Sequence, residues 1–276
     1  MLDPHSPHSI GIHALVNGLW HNQQLIWQLT RRDIVGRYRG SFFGITWAFF
    51  HPLVMLIVYT FVFSVVFQAR IGGVGDSKTD FALGLFIGMI IHGMFSECIN
   101  RTPTLVVNNK AYVKKVVFPL EILPWNVMCA ALFHAAISFL VWFLFYLSVG
   151  HEVSWSYLYF PLIVLPFIFM TMGVSWFLAS VGVFVRDIGH VTGVVTTMLL
   201  FLSPIFYSPS ILPEPYRSFI YINPLTYFIE QSRNVLLYGI APDWTVLIMV
   251  YLAALLTMWM GYIWFQKTRK GFADVL

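Results

Sequence analysis

The sequence predicts an all-α membrane protein with six transmembrane helices, an N-terminal interfacial amphipathic helix before them, and an outer re-entrant helical hairpin between the fifth and sixth. Three observations lead to this prediction. Of the 276 residues, 58% are hydrophobic and only 10% are charged, whereas an ordinary soluble domain has roughly 25% charged residues. The apolar residues form stretches close to the ~20 residues that cross a bilayer as a helix. Most lysines and arginines lie in alternate segments between these apolar stretches, which is the pattern of segments on one side of a membrane.

Ahead of the first span, the sequence predicts a tail and a helix on the membrane surface. Residues 1–14 are expected to be a disordered tail, and residues 15–40 a cytoplasmic interfacial helix with its tryptophans at headgroup depth. At about 100° per residue, its apolar side holds Leu15, Leu19, Ile26 and Leu29. Glycines at four-residue spacing follow, Gly36, Gly40 and Gly44. This spacing is typical of close helix packing, and a flexible elbow before the first span is the alternative.

The six-helix transmembrane domain is predicted over residues 41–276. Its spans are residues 42–67, 81–99, 125–149, 157–185, 191–207 and 244–265. With both termini on one side of the membrane, twelve of the sixteen lysines and arginines fall in segments on that side and four on the other. Positively charged connecting segments face the cytoplasm, so both termini are expected to be cytoplasmic.

A segment between the fifth and sixth spans, residues 209–240, is predicted to be the outer re-entrant hairpin. It is too polar and too interrupted by proline to span the membrane, and too apolar for an aqueous loop. In its second half, one helical face holds Leu225, Phe228, Ile229, Val235 and Leu236, and another holds Glu230, Gln231, Arg233 and Asn234. We interpret the segment as two helices, broken at Asn223-Pro224, in the outer leaflet. An ordinary interfacial hairpin and a lid over an exit both fit this pattern.

No arrangement of reactive side chains predicts an enzyme or a metal site. His151 opens the sequence HEVSW, which lacks the second histidine of the HExxH zinc motif, and neither GxSxG nor GxxxxGK[ST] occurs. Cys98 and Cys129 lie in apolar stretches and have no ligand spacing. Because the basic residues follow the membrane topology, nucleic-acid binding is not expected.

Charged residues inside the predicted spans are few. The middles of all six spans lack Asp, Glu, Lys and Arg, and a transporter that uses an ion gradient normally carries such groups in its core. Glu97 and Arg101, four residues apart near the inner end of the second span, are predicted to form a structural ion pair. If the protein transports, its energy must therefore come from another protein.

The stretch NNKAYVKKVVFPLEILPW, residues 108–125, differs from its apolar surroundings in its lysines, asparagines and prolines. By the charge rule it lies in the cytoplasm, between the second and third spans. A short helix over about residues 104–118 is suited to contact with an acidic or polar surface of a partner. The alternative is that Lys114 and Lys115 only anchor the loop among anionic headgroups.

Four blocks of sequence resemble one family, in the same order along the chain. They are LIWQLTRRDIVGRYRGSFFGITWAFFHPLVMLIVYTFVFSVVF, NNKAYVKKVVFPLEILP, VFVRDIGH and LSPIFYSPSILPEPYRSFIYINPLTYFIEQSRNVLLYG. Together they resemble the polysaccharide-exporting type-2 ABC permeases, the membrane subunits that move O-antigen, capsule or teichoic acid chains. The resemblance extends over residues 25–272, nearly the whole chain.

This resemblance implies a homodimer in the bacterial cytoplasmic (inner) membrane, multi-pass, with two copies of a separate cytoplasmic ABC ATPase. The ATPase would hold the MgATP, so no cofactor is expected in this chain. The implied ATPase-coupling residues are Asn109, Tyr112, Lys114, Lys115, Phe118, Arg186 and Asp187. The implied substrate is a glycan carried on a polyprenyl diphosphate in the membrane.

Two further sets of candidate residues follow from the implied substrate. A guanidinium binds phosphate as a fork, so the diphosphate-binding candidates are Arg31, Arg32, Arg37 and Arg39. Anchoring under the positive-inside rule is the alternative. Aromatic rings suit the C–H faces of sugars, so the conduit-lining candidates are Tyr59, Phe63, Phe67, Phe201, Phe206 and Tyr207. For these rings, packing or an interfacial belt is the alternative.

Two other functions remain open at this point. A type-2 ABC exporter of a small lipid or drug shares the six-span plan, although the VKKVVFP and RDIGH blocks favour the polysaccharide exporters. An integral-membrane glycosyltransferase or acyltransferase would need acidic residues or a histidine clustered at one membrane face, and the sequence has no such cluster.

Overall fold

The computed structural model describes residues 11–62, 78–113 and 118–276, and within these ranges the chain forms helices and turns and no strand. The helices are α1 (Ile12–His21), α2 (Gln23–Tyr38), α3 (Trp47–Tyr59), α4 (Lys78–Arg101), α5 (Leu105–Asn108), α6 (Lys110–Val113), α7 (Leu123–Ser148), α8 (Phe160–Phe184), α9 (Ile188–Leu202), α10 (Glu214–Ile222), α11 (Pro224–Leu236), α12 (Trp244–Thr268) and α13 (Phe272–Val275). The predicted all-α fold class is confirmed.

Among the described residues, five helical stretches are long and apolar enough to cross a membrane. They are Gly44–Val62, Thr79–Arg101, Leu120–Ser148, Trp155–Phe184 and Trp244–Val275. A sixth apolar helix, α9, has 15 residues, about 22 Å at 1.5 Å per residue. The described residues therefore contain six such apolar helices, and the fifth of them is shorter than the ~30 Å hydrocarbon core of a bilayer.

The fifth span ends earlier than the sequence analysis predicts. We expected it to continue to residue 207, whereas α9 ends at Leu202 and Ser203 adopts an extended conformation with φ −93° and ψ 151°. Pro204 explains the difference, because a proline disfavours helical backbone in the residue before it.

The two ends of the helical bundle carry different side chains. At one end, which we call the basic end, Arg101 pairs with Asp33 and Arg269 pairs with Glu121. At the other, which we call the hairpin end, α11 packs against α4 and α8, and α10 packs against α11.

The glycines between α2 and α3 form an elbow. Gly40 and Gly44 have positive φ values of 85° and 52°, in the region that favours glycine. A Cβ added at either position would meet no atom of the described residues within 4 Å. Of the two interpretations of this spacing, the turn fits the structure and close helix packing does not.

Close glycine packing occurs instead between α8 and α12. A Cβ on Gly261 of α12 would overlap the backbone carbonyl of Gly173 in α8, and a Cβ on Gly173 would overlap the backbone of Thr257. Small residues allow two membrane helices to approach this closely. The two helices therefore form a tightly joined pair.

Replacing Gly261 with valine is expected to destabilise the chain, because the obstacle to the new side chain is backbone that cannot rotate away. Overpacking of this kind costs about 1–3 kcal/mol. The check is the apparent melting temperature of the purified protein in detergent, which should fall. Gly193→Val in α9 is the matched control, because a Cβ there meets nothing within 4 Å. Equal melting of both variants and the wild type would contradict the backbone contact.

The predicted helix pair at the hairpin end is present, and its break lies at Asn223. Asn223 Oδ1 accepts a hydrogen bond from the Leu225 backbone N–H at 3.0 Å and so caps α11. Its Nδ2 donates to Ser203 Oγ at 2.8 Å. Asn223 therefore follows the first helix of the pair, and its side chain caps the second helix and joins it to the end of α9.

The expected position of Arg233 is wrong. The sequence analysis placed it on the polar face of α11 beside Glu230, but its relative exposure is 4%. Its guanidinium donates to the carbonyl oxygens of Gly84 at 2.8 Å, Pro204 at 2.5 Å and Ile205 at 2.7 Å. The carbonyls of Pro204 and Ile205 lie beyond the end of α9, and Arg233 supplies the donors that they would otherwise lack.

Candidate functional site

The predicted coupling residues belong to two segments, one after α4 and one after α8. These two segments lie next to each other at the basic end. The carbonyl of Pro103, just after α4, lies directly against Gly182 near the end of α8, where a Cβ would overlap it. In the first turn of α9, Gly189 faces the side chain of Thr104. The connection between α4 and α7 (residues 102–122, the α4–α7 connection) therefore packs on the turn between α8 and α9.

Arg186 and Asp187 are exposed in that turn, beside the α4–α7 connection. Asp187 is the N-cap residue of α9, although its side chain makes no capping hydrogen bond. Both side chains are thus available to a molecule that contacts the basic end.

Three of the predicted coupling residues organise the α4–α7 connection. Asn109 ends α5, and its Nδ2 donates to the Leu105 carbonyl at 2.8 Å. The ring of Tyr112 stacks on Phe118 with centroids 4.2 Å apart and an interplanar angle of 6°. Arg32 of α2 donates to the Tyr112 hydroxyl at 3.3 Å. The connection is therefore joined to the N-terminal helix that precedes the first span.

Lys114 and Lys115, the remaining predicted coupling residues, lie outside the described residues. Their role stays a prediction.

The sequence analysis missed the contacts that hold the end of the α4–α7 connection. Arg269, just beyond α12, pairs with Glu121 at 2.6 Å and donates to the Phe118 carbonyl at 2.9 Å. Trp176 of α8 donates its indole N–H to the Glu121 carbonyl at 3.0 Å. The sequence offered one signal: Glu121 is the acidic residue of an otherwise basic stretch.

A network of charged side chains joins α2, α4 and α7. The predicted pair of Glu97 and Arg101 is present, with 3.1 Å between Oε1 and Nη1. Arg101 also pairs with Asp33 at 2.5 Å, and Glu97 with Arg37 at 2.6 Å. His134 of α7 contributes Nδ1 at 2.9 Å from Glu97 Oε2. Sequence periodicity within one helix predicted the first contact alone, because the other partners lie on different helices.

This charged network lies between two cavities. The first has a volume of about 480 Å³ and is lined by residues of α2, α3, α4 and α7, among them His51, Tyr59 and Glu97. The second, of about 540 Å³, is polar. Its polar lining consists of Arg32, Asp33, Arg37, Arg101, Asn108, Asn109 and Asn126. The second cavity therefore presents three guanidinium groups and one carboxylate.

The four arginines predicted to bind a diphosphate do not converge on one point. Arg37 belongs to the charged network, and Arg32 lines the polar cavity and contacts Tyr112. Arg31 lies at an apolar groove of about 670 Å³ between α2 and α7. Arg39 follows α2 and is exposed. Within the described part of the chain, neither Arg31 nor Arg39 has an ion-pair or side-chain hydrogen-bond partner, whereas Arg37 pairs with Glu97 and Arg32 bonds to Tyr112, so Arg31 and Arg39 are the most available cations of the set.

The aromatic residues predicted to line a conduit fall into two groups. Tyr59 is half-buried and lines the first cavity. Phe201 is 63% exposed at the end of α9, its ring is 5.8 Å from that of Phe206, and its carbonyl accepts a hydrogen bond from the Tyr207 hydroxyl at 3.2 Å. The structure therefore brings the three rings near the end of α9 together.

Phe63 and Phe67, the other two conduit candidates, lie outside the described residues. Their proposed contribution stays a prediction.

A polar seam between α4 and α9 was not found from the sequence. His92 Nε2 lies 2.9 Å from the Thr196 carbonyl, and Asn100 Nδ2 donates to Thr196 Oγ1 at 3.1 Å. Interhelical hydrogen bonds of this kind stabilise helix pairs in membranes. Among the described residues, no three His, Cys, Asp or Glu side chains are grouped as metal ligands.

Comparison with known proteins places this architecture in a family. Residues 24–237 match the family described as ABC-2 type transporter. The chain is 26% identical to the O-antigen export system permease protein RfbA of Myxococcus xanthus, over 94% of this chain and 98% of the relative. It is 27% identical to RfbA of Klebsiella pneumoniae, over 90% and 93%. It is 21% identical to the polysialic acid transport protein KpsM of Escherichia coli, over 87% and 92%. The match covers more than half of the chain, extends from α2 to α11 and includes the pair of Arg101 with Asp33 and the hairpin, so the chain belongs to the ABC-2 type transporter family.

Proposed function

We propose that this chain is the membrane permease subunit of an ATP-driven exporter of a lipid-linked polysaccharide, with O-antigen ahead of capsule or teichoic acid as the substrate class. The relatives named for O-antigen export and polysialic acid transport support the substrate class. The observation that carries the coupling role is the contact between Pro103 and Gly182. It joins the α4–α7 connection to the end of α8, directly before the turn that presents Arg186 and Asp187.

The working assembly we propose is a homodimer with two copies of a cytoplasmic ATPase. It sits in the bacterial cytoplasmic membrane with both termini in the cytoplasm. Twelve of the sixteen lysines and arginines lie on the side that this orientation assigns to the cytoplasm, as the positive-inside rule requires. The basic end then faces the ATPase, and the hairpin end faces the outer side.

The mechanism begins with MgATP bound to the partner. Closure of the ATPase displaces the α4–α7 connection and the turn after α8, and the attached helices move with them. The lipid diphosphate is held near the basic end by arginines that have no carboxylate partner among the described residues, with Arg31 and Arg39 as the first candidates. The glycan then passes along aromatic rings that include Phe201, Phe206 and Tyr207.

Reversing the charge of Lys114 and Lys115 is the direct test of the coupling role. In Lys114→Glu/Lys115→Glu, the chain is expected to insert and the ATPase to hydrolyse ATP, while export of the cell's own polysaccharide falls to the background of an empty vector. The physical reason is that charges of the wrong sign weaken docking against the partner surface. Export is measured by labelling the polymer on intact cells.

Lys267→Glu/Lys270→Glu carries the same charge change elsewhere at the basic end and is the matched control. Equal loss of export in both double variants would mean that the lysines serve only as membrane anchors. The proposal as a whole fails if no ATPase co-purifies with the wild-type chain.

A further inference from the structure

The α4–α7 connection is held to the α8–α12 pair at both of its ends. At its start, Pro103 lies against Gly182 of α8 so closely that a Cβ on the glycine would overlap the proline backbone. At its end, Trp176 Nε1 of α8 donates to the Glu121 carbonyl oxygen at 3.0 Å. A displacement of the connection therefore acts directly on α8.

Arg269 extends this attachment to α12. Its Nη1 donates to Glu121 Oε2 at 2.6 Å, and its Nη2 donates to the Phe118 carbonyl at 2.9 Å. The side chains of Arg269 and Glu121 are only 14% and 21% exposed, so solvent screens the pair less than it would on an open surface. A planar guanidinium that binds two acceptors fixes their relative position more firmly than a single contact does.

The two helices that receive these contacts are packed backbone against backbone. Gly173 and Gly261 bring the backbones of α8 and α12 into direct contact, and a packed interface of this kind resists sliding. At the basic end, Ser180 Oγ of α8 lies 2.6 Å from Thr268 Oγ1 of α12. Force applied at either helix is shared by both.

We propose that Arg269 is a positioning residue that fixes the α4–α7 connection to α12, so that motion imposed on the connection is transmitted to the α8–α12 pair. This inference rests on the proposed function, in which a partner ATPase moves the connection. Beyond the proposed function, the inference names the helices that move, α8 and α12, and the side chain that transmits the motion to them. Arg269 needs no contact with the polysaccharide or with ATP for this role.

The test uses the whole complex with its ATPase, comparing Arg269→Gln with wild type. Export per ATP hydrolysed is expected to fall about fivefold or more, the lower range of coupling between two sites. Co-purification of the ATPase and its rate of ATP hydrolysis should stay as in wild type, which general unfolding of the chain would not allow. Arg269→Lys is expected to lie between the two, because an ammonium retains the pair with Glu121 but lacks the two-pronged geometry.

Lys270→Gln is the matched control, since it removes the same charge from the exposed neighbouring residue. Wild-type coupling in Arg269→Gln, or equal loss in Lys270→Gln, would overturn the inference while leaving the proposed function intact. Failure of the ATPase to bind the wild-type chain would overturn the proposed function itself.

A second measurement follows the motion directly, with spin labels at Ala111 and Lys267 in a background of Cys98→Ser and Cys129→Ser. In the wild-type complex, the distance between the labels is expected to stay constant when the nucleotide is trapped on the ATPase. In Arg269→Gln it is expected to change. A change in wild type, or the same constant distance in both proteins, would contradict the proposal.

Discussion

Replacing Arg233 with methionine is expected to detach the hairpin from the end of α9 and to unfold the hairpin end of the chain. The wild-type guanidinium reaches three carbonyl oxygens, of Gly84 in α4 and of Pro204 and Ile205 after α9. Asn223 holds the same segment through Ser203. Loss of Arg233 leaves Asn223 to hold the start of α11 to the end of α9.

The sign of the effect follows from what methionine can and cannot replace. A buried guanidinium costs desolvation free energy, and its removal regains that cost. Replacing a whole buried ion pair by apolar residues is often neutral for this reason. Here the partners are backbone carbonyls, which remain in place, and each unsatisfied buried acceptor costs about 1–3 kcal/mol. Two such carbonyls lie outside any helix, so the net change is destabilising by several kcal/mol.

The measurement for Arg233→Met is the apparent melting temperature in detergent together with protease cleavage between residues 203 and 224. The melting temperature should fall and cleavage should accelerate. Arg217→Met is the matched control, because Arg217 also lies in the hairpin and contacts the nearby Leu212 carbonyl. Arg233→Lys is expected to be nearly as unstable, since one ammonium cannot reach the acceptors of both α4 and the end of α9. A wild-type profile for Arg233→Met would refute the attachment.

The features that the sequence predicted correctly are local along the chain. The break at Asn223-Pro224 follows from proline and from asparagine as a cap, both properties of neighbouring residues. The pair of Glu97 and Arg101 follows from helical spacing. Each of these needs only a few residues and no knowledge of how the helices pack.

The features that the sequence did not predict join residues far apart in the chain. From the sequence, Arg233 is predicted to lie on the polar face of α11. Its contacts with the carbonyls of Pro204 and Ile205 are visible only in the structure. Arg269 and Glu121 are separated by 148 positions. From the sequence, each is predicted only to be a charged residue at the membrane surface, and nothing indicates that they form a pair. Helical periodicity shows which residues share one face of a helix, but it does not show which other helix packs against that face. The contacts between helices were therefore found only in the structure.

Neutralising Arg37 and Arg39 separately is expected to give two different defects, although both are arginines near the end of α2. Arg37 donates to Glu97 at 2.6 Å and lies beside His134. Arg39 is exposed and has no ion-pair partner in the described part of the chain. Arg37→Gln should therefore loosen α2 from α4 and α7, whereas Arg39→Gln should leave the fold intact and lower export.

The magnitude of the Arg37 effect is limited by its exposure. Hydrogen bonds to a charged group contribute about 1.5–3 kcal/mol to stability when they are buried. The Arg37 side chain is 42% exposed, so solvent screening reduces the contribution of its hydrogen bond to the stability of the chain. Glu97, only 15% exposed, accepts from Arg37, Arg101 and His134. Glu97→Gln should therefore destabilise the chain more than Arg37→Gln, and the melting temperatures of the two variants check this order.

Arg37→Gln and Glu97→Gln combined in one chain separate the structural role of Arg37 from binding of a diphosphate. If Arg37 acts only through Glu97, the double variant exports as poorly as Glu97→Gln alone, because contacts in one network are not additive. If Arg37 also binds the lipid diphosphate, adding Arg37→Gln lowers export further at unchanged stability. We expect the first result for Arg37 and an additive loss when Arg39→Gln is combined with Glu97→Gln. If Arg37→Gln also gives an additive loss of export, Arg37 belongs to the diphosphate-binding site. If Arg39→Gln gives no loss of export, Arg39 serves only as a membrane anchor.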